Sequence, residues 1–289
     1  MSEHDVAAAR RWFAEELRHV ARVRSRAVIE AFANVPREHF AGPGPWRLLS
    51  PWYLNDYWTT EDTDPRHLYH DVLIAIDETR RLNNGQPSLW AFLYDQLGLA
   101  TGEHVVHIGI GTGYYTAILA EIVGPGGQVT AVEIDAGLAE RARANLAHMW
   151  PWANVVTADG FAFRPERSAD AIIVNAGVTE LSLAWLDSLA VGNGRLLVPL
   201  TARNRAGAYF QITTHRHDET QRYAARHVCR VGIIDCVGGR TTHAEKAVAA
   251  AFSMPELIPA IRSLRRAPEQ PDDTCWLAGD DWWLSTAPP

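Results

Sequence analysis

Apolar positions recur at helical spacing across residues 5–34. Trp12, Phe13, Leu17 and Val20 fall on one face, and Val28, Ile29 and Phe32 repeat the pattern. Val35-Pro36-Arg37-Glu38 ends this stretch, because a residue before proline is pushed out of the α region. Residues 41–64 then lose periodicity. Pro43, Pro45 and Pro51 alternate with Trp46, Trp52, Tyr53, Tyr57 and Trp58, which predicts a loop or lid.

From about residue 87 helix and strand patterns alternate. A helix over 89–97, a buried strand over 103–108, a helix over 114–123 and a strand over 129–134 are predicted in turn. Asp135 caps a helix running to about Met149, and strands follow at Val155-Val156 and 171–174. A helix around 183–189 and a strand over 195–198 complete the series. Residues 209–214 and 227–234 read as a closing antiparallel pair around the polar turn Asp218-Glu219-Thr220. The tail over 245–264 reads as helical, and the last residues, with Trp276, Trp282 and Trp283, carry no pattern. The alternation predicts an α/β chain with a Rossmann-like, doubly wound, mostly parallel seven-stranded sheet. It divides into N-terminal helices with an aromatic-rich segment over 1–78, a core over 79–215 and an extension over 216–289.

Composition narrows the class without naming it. With 47% hydrophobic and 21% charged residues in 289, the chain has enough apolar surface for a core, so disordered and coiled-coil classes drop out. The net charge of −7 leaves no overall basic footprint for nucleic acid. Twenty-six arginines stand against a single lysine, Lys246, so a Schiff-base lysine or phosphate-loop lysine has almost nowhere to sit. Cys229, Cys236 and Cys275 match no metal-ligand spacing and no disulfide framework, which predicts no metal and a reducing compartment. The charged N-terminus lacks an apolar signal core, and no apolar run approaches the ~20 residues of a membrane span. A soluble cytoplasmic protein without membrane contact is expected; the oligomeric state is left open.

The most informative segment is Val105-Val106-His107-Ile108-Gly109-Ile110-Gly111-Thr112-Gly113-Tyr114, a glycine loop between a strand and a helix. A dinucleotide fingerprint needs a small residue where Tyr114 stands, so that helix and strand can pack closely. The spacing of Gly109, Gly111 and Gly113 points instead to the amino-acid end of S-adenosylmethionine. Glu133 ends the next strand, where a carboxylate can accept from both ribose hydroxyls. Asp159-Gly160 follows the third strand, where a carboxylate can accept from the adenine amino group. His107, Thr112, Tyr114 and Gly160 join these as candidate cofactor residues. Position 107 is usually acidic in such loops, so His107 is expected to be neutral or displaced from the role of holding the cofactor ammonium.

These segments resemble the protein-L-isoaspartate O-methyltransferase family over roughly residues 28–200. Val35-Pro36-Arg37-Glu38 with Phe40 is similar to the family's VPRE-F turn, and Tyr69-His70-Asp71 to its Y-x-D. Gly85-Gln86-Pro87 looks like the end of its SQP segment. Asp159-Gly160, and Gly192-Asn193-Gly194-Arg195-Leu196 with Pro199, look like its DG and GGRL…P segments. The resemblance implies a Rossmann-like methyltransferase that uses S-adenosylmethionine to methylate the carboxylate of an isoaspartyl residue. Gly85 departs from it, standing where the family carries a serine at the substrate. The 41–64 stretch and the tail beyond about 216 read as additions.

A carboxylate is ionised at neutral pH, so as a nucleophile it needs orientation and hydrogen-bond donors, not a general base. Asn84 can supply an amide donor in place of the serine, and Asn84 with Gln86 is expected to face the transferring methyl. Arg37 and Arg80, with Arg81, can clamp a substrate carboxylate through paired N–H donors; the plainer alternative is an ordinary ion pair. Trp52, Tyr57 and Trp58, with Tyr53, can close over a peptidic substrate or simply plug the outside of the sheet. His70 and His107 are the nearest bases and read mainly as structural; His215-Arg216-His217 reads as a solvated turn. The expected partner is a peptide, protein or small carboxylate. Two further readings stay open: a relative redirected to a small-molecule or natural-product substrate, and a catalytically silent S-adenosylmethionine-binding interaction protein.

Overall fold

The computed structural model describes residues 3–53, 56–203, 206–217 and 220–289. Asp218 and Glu219 of the expected polar turn lie outside the described residues. The chain forms two compact units, 1–103 with 110–156, and 104–109 with 157–289.

The first unit begins with α1 (Glu3–Val20) and α2 (Arg26–Asn34), where one helical stretch was expected. Arg22 takes a positive φ of 52° between them, and Ser25 caps α2 by accepting the Val28 N–H. Phe13 and Leu17 are buried as expected, but Trp12 and Val20 face solvent at 76% and 60% exposure. Trp12 lies about 100° around the helix from Phe13, outside the buried stripe. Val20 shares the direction of Phe13 but is the last residue of α1. Next come α3 (Arg37–Ala41), β1 (Arg47–Leu49), β2 (Tyr57–Thr59), β3 (Leu73–Asp77) and β4 (Leu82–Asn83). The strands form a small antiparallel sheet in the order β2-β1-β3-β4. The expected loop over 41–64 is therefore largely a hairpin. Its apolar side, Trp46 and Leu48, packs with Leu68 and Ile74, so cross-strand burial organises a segment that has no periodicity long enough to read.

Helix α4 (Pro87–Leu97) follows, its first turn held by Asp71, whose Oδ1 accepts the Ser88 N–H at 2.8 Å. The chain then passes through β5 (His104–Ile108) and returns as α5 (Tyr114–Val123), β6 (Gln128–Glu133), α6 (Ala136–Leu146) and β7 (Ala153–Thr157). Every residue of α5 except Glu121 is buried, as a helix apolar all round must be. Phe32, Phe40, Tyr114 and Tyr115 meet edge to face in this core, with ring centroids 4.9–6.5 Å apart. Asp135 caps α6 as predicted, accepting from the N–H groups of Gly137 and Leu138.

The second unit adds β8 (Ala171–Val174), α7 (Leu183–Ser188), β9 (Arg195–Thr201), β10 (Ala206–His217), β11 (Thr220–Gly232), α8 (Thr242–Phe252), β12 (Ser263–Arg266), β13 (Cys275–Ala278) and β14 (Trp282–Ser285). Its strands run in the order β13-β14-β12-β11-β10-β9-β8-β5. The first pairs, β5 with β8 and β8 with β9, are parallel; from β9 outward all are antiparallel. This unit alone exceeds the seven strands expected, because the tail supplies three. Only its 242–252 part is α-helical. Trp282 and Trp283, which carry no pattern in the sequence, are buried in β14, and Trp276 is buried in β13. Residues 215 and 216 lie inside β10 rather than in a turn.

Candidate active site

In the first unit the glycine loop is tied down by an acid. Glu133, 7% exposed at the end of β6, accepts the Gly111 N–H through Oε2 at 2.8 Å. Its Oε1 accepts from Ile134 and Asp135 at 3.0 and 3.1 Å. A carboxylate has about four acceptor positions, so three are filled by main chain and one stays open on Oε2. Gly111 and Gly113 adopt φ of 58° and 93°, conformations that side chains disfavour. A Cβ at Gly113 would press at 3.3 Å on Ala142 of α6. No side chain caps the first turn of α5, and Asn145 donates to the Thr112 carbonyl at 3.0 Å. The side chains of Thr112 and Tyr114 are turned into the core, at 2% and 1% exposure, so only their main chain is available to a ligand.

In the second unit Gly109 follows β5 with φ 77°. Asn175, just past β8, donates from Nδ2 to the Gly109 carbonyl at 3.0 Å. A Cβ at Gly109 would stand 3.2 Å from the Asn175 carbonyl oxygen, so the tip of β8 braces the loop's main chain. Sequence reasoning missed Asn175; a polar residue directly after the apolar run 171–174 was the available signal. His107 is fully buried, and desolvation pushes its imidazole down to about 3, so it is neutral and offers no charge to a cofactor. Asp159 is exposed and accepts the Phe161 N–H at 2.9 Å, while the Gly160 carbonyl accepts from Trp185 Nε1 at 2.8 Å. Within the first unit, a glycine loop whose Ile110 and Thr112 side chains are buried, an uncapped helix start and a carboxylate at the end of β6 fit S-adenosylmethionine.

The catalytic candidates sit at the end of β4 in the first unit. Gln86 Nε2 donates to Asp71 Oδ2 at 2.9 Å, and that oxygen also accepts the Ser88 hydroxyl at 2.7 Å. Asn84 is 8% exposed and its Oδ1 accepts from Arg37 at 3.3 Å. Gly85 has φ 76°, its carbonyl accepts the Tyr115 hydroxyl at 3.0 Å, and a Cβ there would lie 2.7 Å from Trp90 Nε1. A side chain at position 85 would therefore run into Trp90 and Tyr115, whose rings lie 5.2 Å apart and tilted by 34°.

The substrate candidates are placed differently from one another. Arg37, expected to clamp a carboxylate, is fully buried and donates to the carbonyls of Leu68, His70 and Val72 at 2.6–3.0 Å. Both terminal nitrogens of its guanidinium donate to main chain, so the expected carboxylate clamp gives way to a structural one. Arg80 donates to Asp135 at 2.7 Å on the surface. Tyr57 donates to Asn83 Oδ1 at 2.7 Å, and Arg47 lies 5.9 Å over its ring while pairing with Glu78. Trp52 and Trp58 are 87% and 42% exposed, so they do not plug a sheet face. No described helix is long and apolar enough to cross a membrane.

Fold and site together define a class I S-adenosylmethionine-dependent methyltransferase. A solved protein-L-isoaspartate O-methyltransferase superposes with a TM-score of 0.63, covering 94% of this chain and 87% of that one at 21% identity. A Plasmodium falciparum β-aspartate methyltransferase, solved with S-adenosylhomocysteine, gives 0.60 over 78% of this chain and 97% of that one at 18% identity. The family model described as protein-L-isoaspartate(D-aspartate) O-methyltransferase matches residues 56–237. Protein-L-isoaspartate O-methyltransferase 1 of Geotalea uraniireducens is 32% identical over 220 residues, which are 75% of this chain and 87% of that protein. The Rhodopseudomonas palustris protein-L-isoaspartate O-methyltransferase is 35% identical over 205 residues, 68% and 79% of the two chains. The chain belongs to the protein-L-isoaspartate O-methyltransferase family, and with it to the S-adenosylmethionine-dependent carboxyl O-methyltransferases. The match reaches 237, beyond the roughly 200 read from motifs, and so takes in β11, which lies in the stretch beyond about 216 that reads as an addition.

Proposed function

We propose that this chain transfers a methyl group from S-adenosylmethionine to the carboxylate of an (iso)aspartyl side chain in a peptide or protein. The observation that carries the reading is the Glu133–Gly111 contact within a chain of this family. In the proposal Gly109, Gly111, Gly113, Glu133 and Asp159, with Gly160, hold the cofactor, while Asn84 and Gln86 face the transferring methyl. His107, Thr112 and Tyr114 support the loop from the core side. The cofactor supplies an electrophilic methyl on a sulfonium. The protein's residues then have to hold the acceptor oxygen in line at near-attack distance and keep it desolvated. An ionised carboxylate needs no proton removed, which agrees with the absence of a charged histidine from the loop.

Incubation with labelled S-adenosylmethionine and a synthetic isoaspartyl peptide should transfer base-labile label. Failure with that peptide, alongside transfer to a different acid, selects a second reading that one observation favours. Trp90 and Tyr115 leave no room for a side chain at position 85, where the family resemblance expects a serine, and an acceptor side without that serine suits a carboxylate other than the isoaspartyl one. Tight cofactor binding with no transfer to any acid would refute both.

A further inference from the structure

Within the first unit, Arg37 and Asn84 form a pair whose polarity is set by chemistry. A guanidinium can only donate, so the Asn84 atom facing Arg37 Nη2 at 3.3 Å must be the carbonyl oxygen Oδ1. Arg37 is itself immobile. It is fully buried, bonded to the Leu68, His70 and Val72 carbonyls, and lies 5.8 Å from the centroids of both the Phe13 and Tyr114 rings. The main chain of Asn84 is held too, its N–H donating to the Ile74 carbonyl at 2.9 Å. The amide therefore cannot turn over. Its Nδ2 is left as a donor, more than nine-tenths buried, with no acceptor. A buried amide donor without an acceptor is costly, and native proteins rarely leave one so.

We infer that Asn84 Nδ2 is the donor that receives the carboxylate of the acceptor substrate, and that Arg37 is the positioning residue that fixes this polarity. The inference rests on the carboxylate reading above and assigns it an atom. It also gives Arg37 a role that a substrate clamp would not need: it acts through Asn84, one residue before the glycine that replaces the family serine. The ligand chemistry at Nδ2 is an ionised carboxylate, which both the substrate and the methionine end of the cofactor carry; we commit to the substrate.

Asn84→Asp and Asn84→Ala separate the possibilities, with isoaspartyl and aspartyl peptides and succinate as acceptors. Loss of the donor should lower kcat/KM about thirtyfold in Asn84→Ala, in the range of one charged hydrogen bond. Asn84→Asp should be lower still, because it keeps the shape but sets a carboxylate against a carboxylate, while its thermal stability stays at or above that of Asn84→Ala. S-adenosylhomocysteine affinity by calorimetry should stay within about twofold in both, a change too small for a lost hydrogen bond. A purely structural asparagine would give the opposite order, with Asp more active than Ala, and would overturn the inference. So would a parallel loss of S-adenosylhomocysteine affinity, which would move the donor to the cofactor, or unchanged activity in both variants. Wild-type protein that methylates none of the acids would overturn the carboxylate reading and this inference with it, whereas wild-type turnover untouched by Asn84 variants overturns only the inference. For Arg37, Arg37→Lys should add nothing to kcat/KM on top of Asn84→Ala; additive losses would remove its positioning role. If Arg37→Lys does not fold, Arg37→Gln, which lets the amide turn over, should show the same non-additivity.

Discussion

The Glu133 carboxylate and the Gly111 N–H are joined at 2.8 Å, although 22 residues separate them in sequence. The bond ties the end of β6 to the glycine loop and leaves an acceptor position on the same oxygen. Replacement by alanine removes three accepted main-chain N–H bonds as well as any bond to a ligand. Glu133→Ala should weaken S-adenosylhomocysteine binding by about 1–3 kcal/mol, measured by calorimetry. Unchanged affinity would remove Glu133 from the cofactor site.

Gly85→Ser puts the serine that the family resemblance expects into a place that cannot take it. The main chain there has φ 76°, and the new Cβ would stand 2.7 Å from Trp90 Nε1. Positive φ and overpacking each cost about 1–3 kcal/mol, so denaturant unfolding should show a loss of about 2 kcal/mol or more. Isoaspartyl methylation should not rise. A stable, more active Gly85→Ser protein would mean that Trp90 moves aside freely.

Burial of His107 makes stability depend on pH on the acid side. Its folded value, about 3, lies below the 6.5 of the unfolded chain, so only the unfolded state takes up a proton between them. Stability at this site is therefore complete above pH 6.5 and falls with decreasing pH toward 3, by at most about 1.4 kcal/mol per pH unit. His107→Gln should flatten that slope relative to wild type in urea unfolding at a series of pH values. Identical slopes would show that the imidazole is charged, or exposed, in the native state.

Trp52 is 87% exposed on the hairpin that Tyr57 ties to Asn83, next to Asn84. Trp52→Ala should leave the melting temperature essentially unchanged, since surface truncations stay within about 0.5 kcal/mol. If the hairpin grips the acceptor, KM for a peptide should rise while KM for succinate does not. An equal effect on both would remove the hairpin from substrate recognition.

The glycine loop was legible because its requirements are local. Three glycines between an apolar strand and an apolar helix, with an acid at the next strand's end, are a pattern that near neighbours in sequence impose. Asp135 was readable as a cap for the same reason. The hairpin over 47–59 was not. Its strands are three residues long, and its order comes from Trp46 and Leu48 packing on Leu68 and Ile74. The strands of the tail escaped notice because the strand holding Trp282 and Trp283 gains its register by pairing with residues 263–266 on one side and 275–278 on the other.

Sequence alone determined the α/β alternation and the glycine loop with an acid at the end of the next strand, since each is written in residue type and spacing. Only the tertiary structure decided what Arg37 does. An arginine beside a proline turn reads equally as a substrate clamp or an ion pair. Burial left it no solvent and surrounded it with the carbonyls of residues 68, 70 and 72, and a buried guanidinium must donate to whatever acceptors the fold brings near. The polarity of Asn84 follows from that placement, because an amide has no preferred direction until a neighbour that can only donate stands against one end of it.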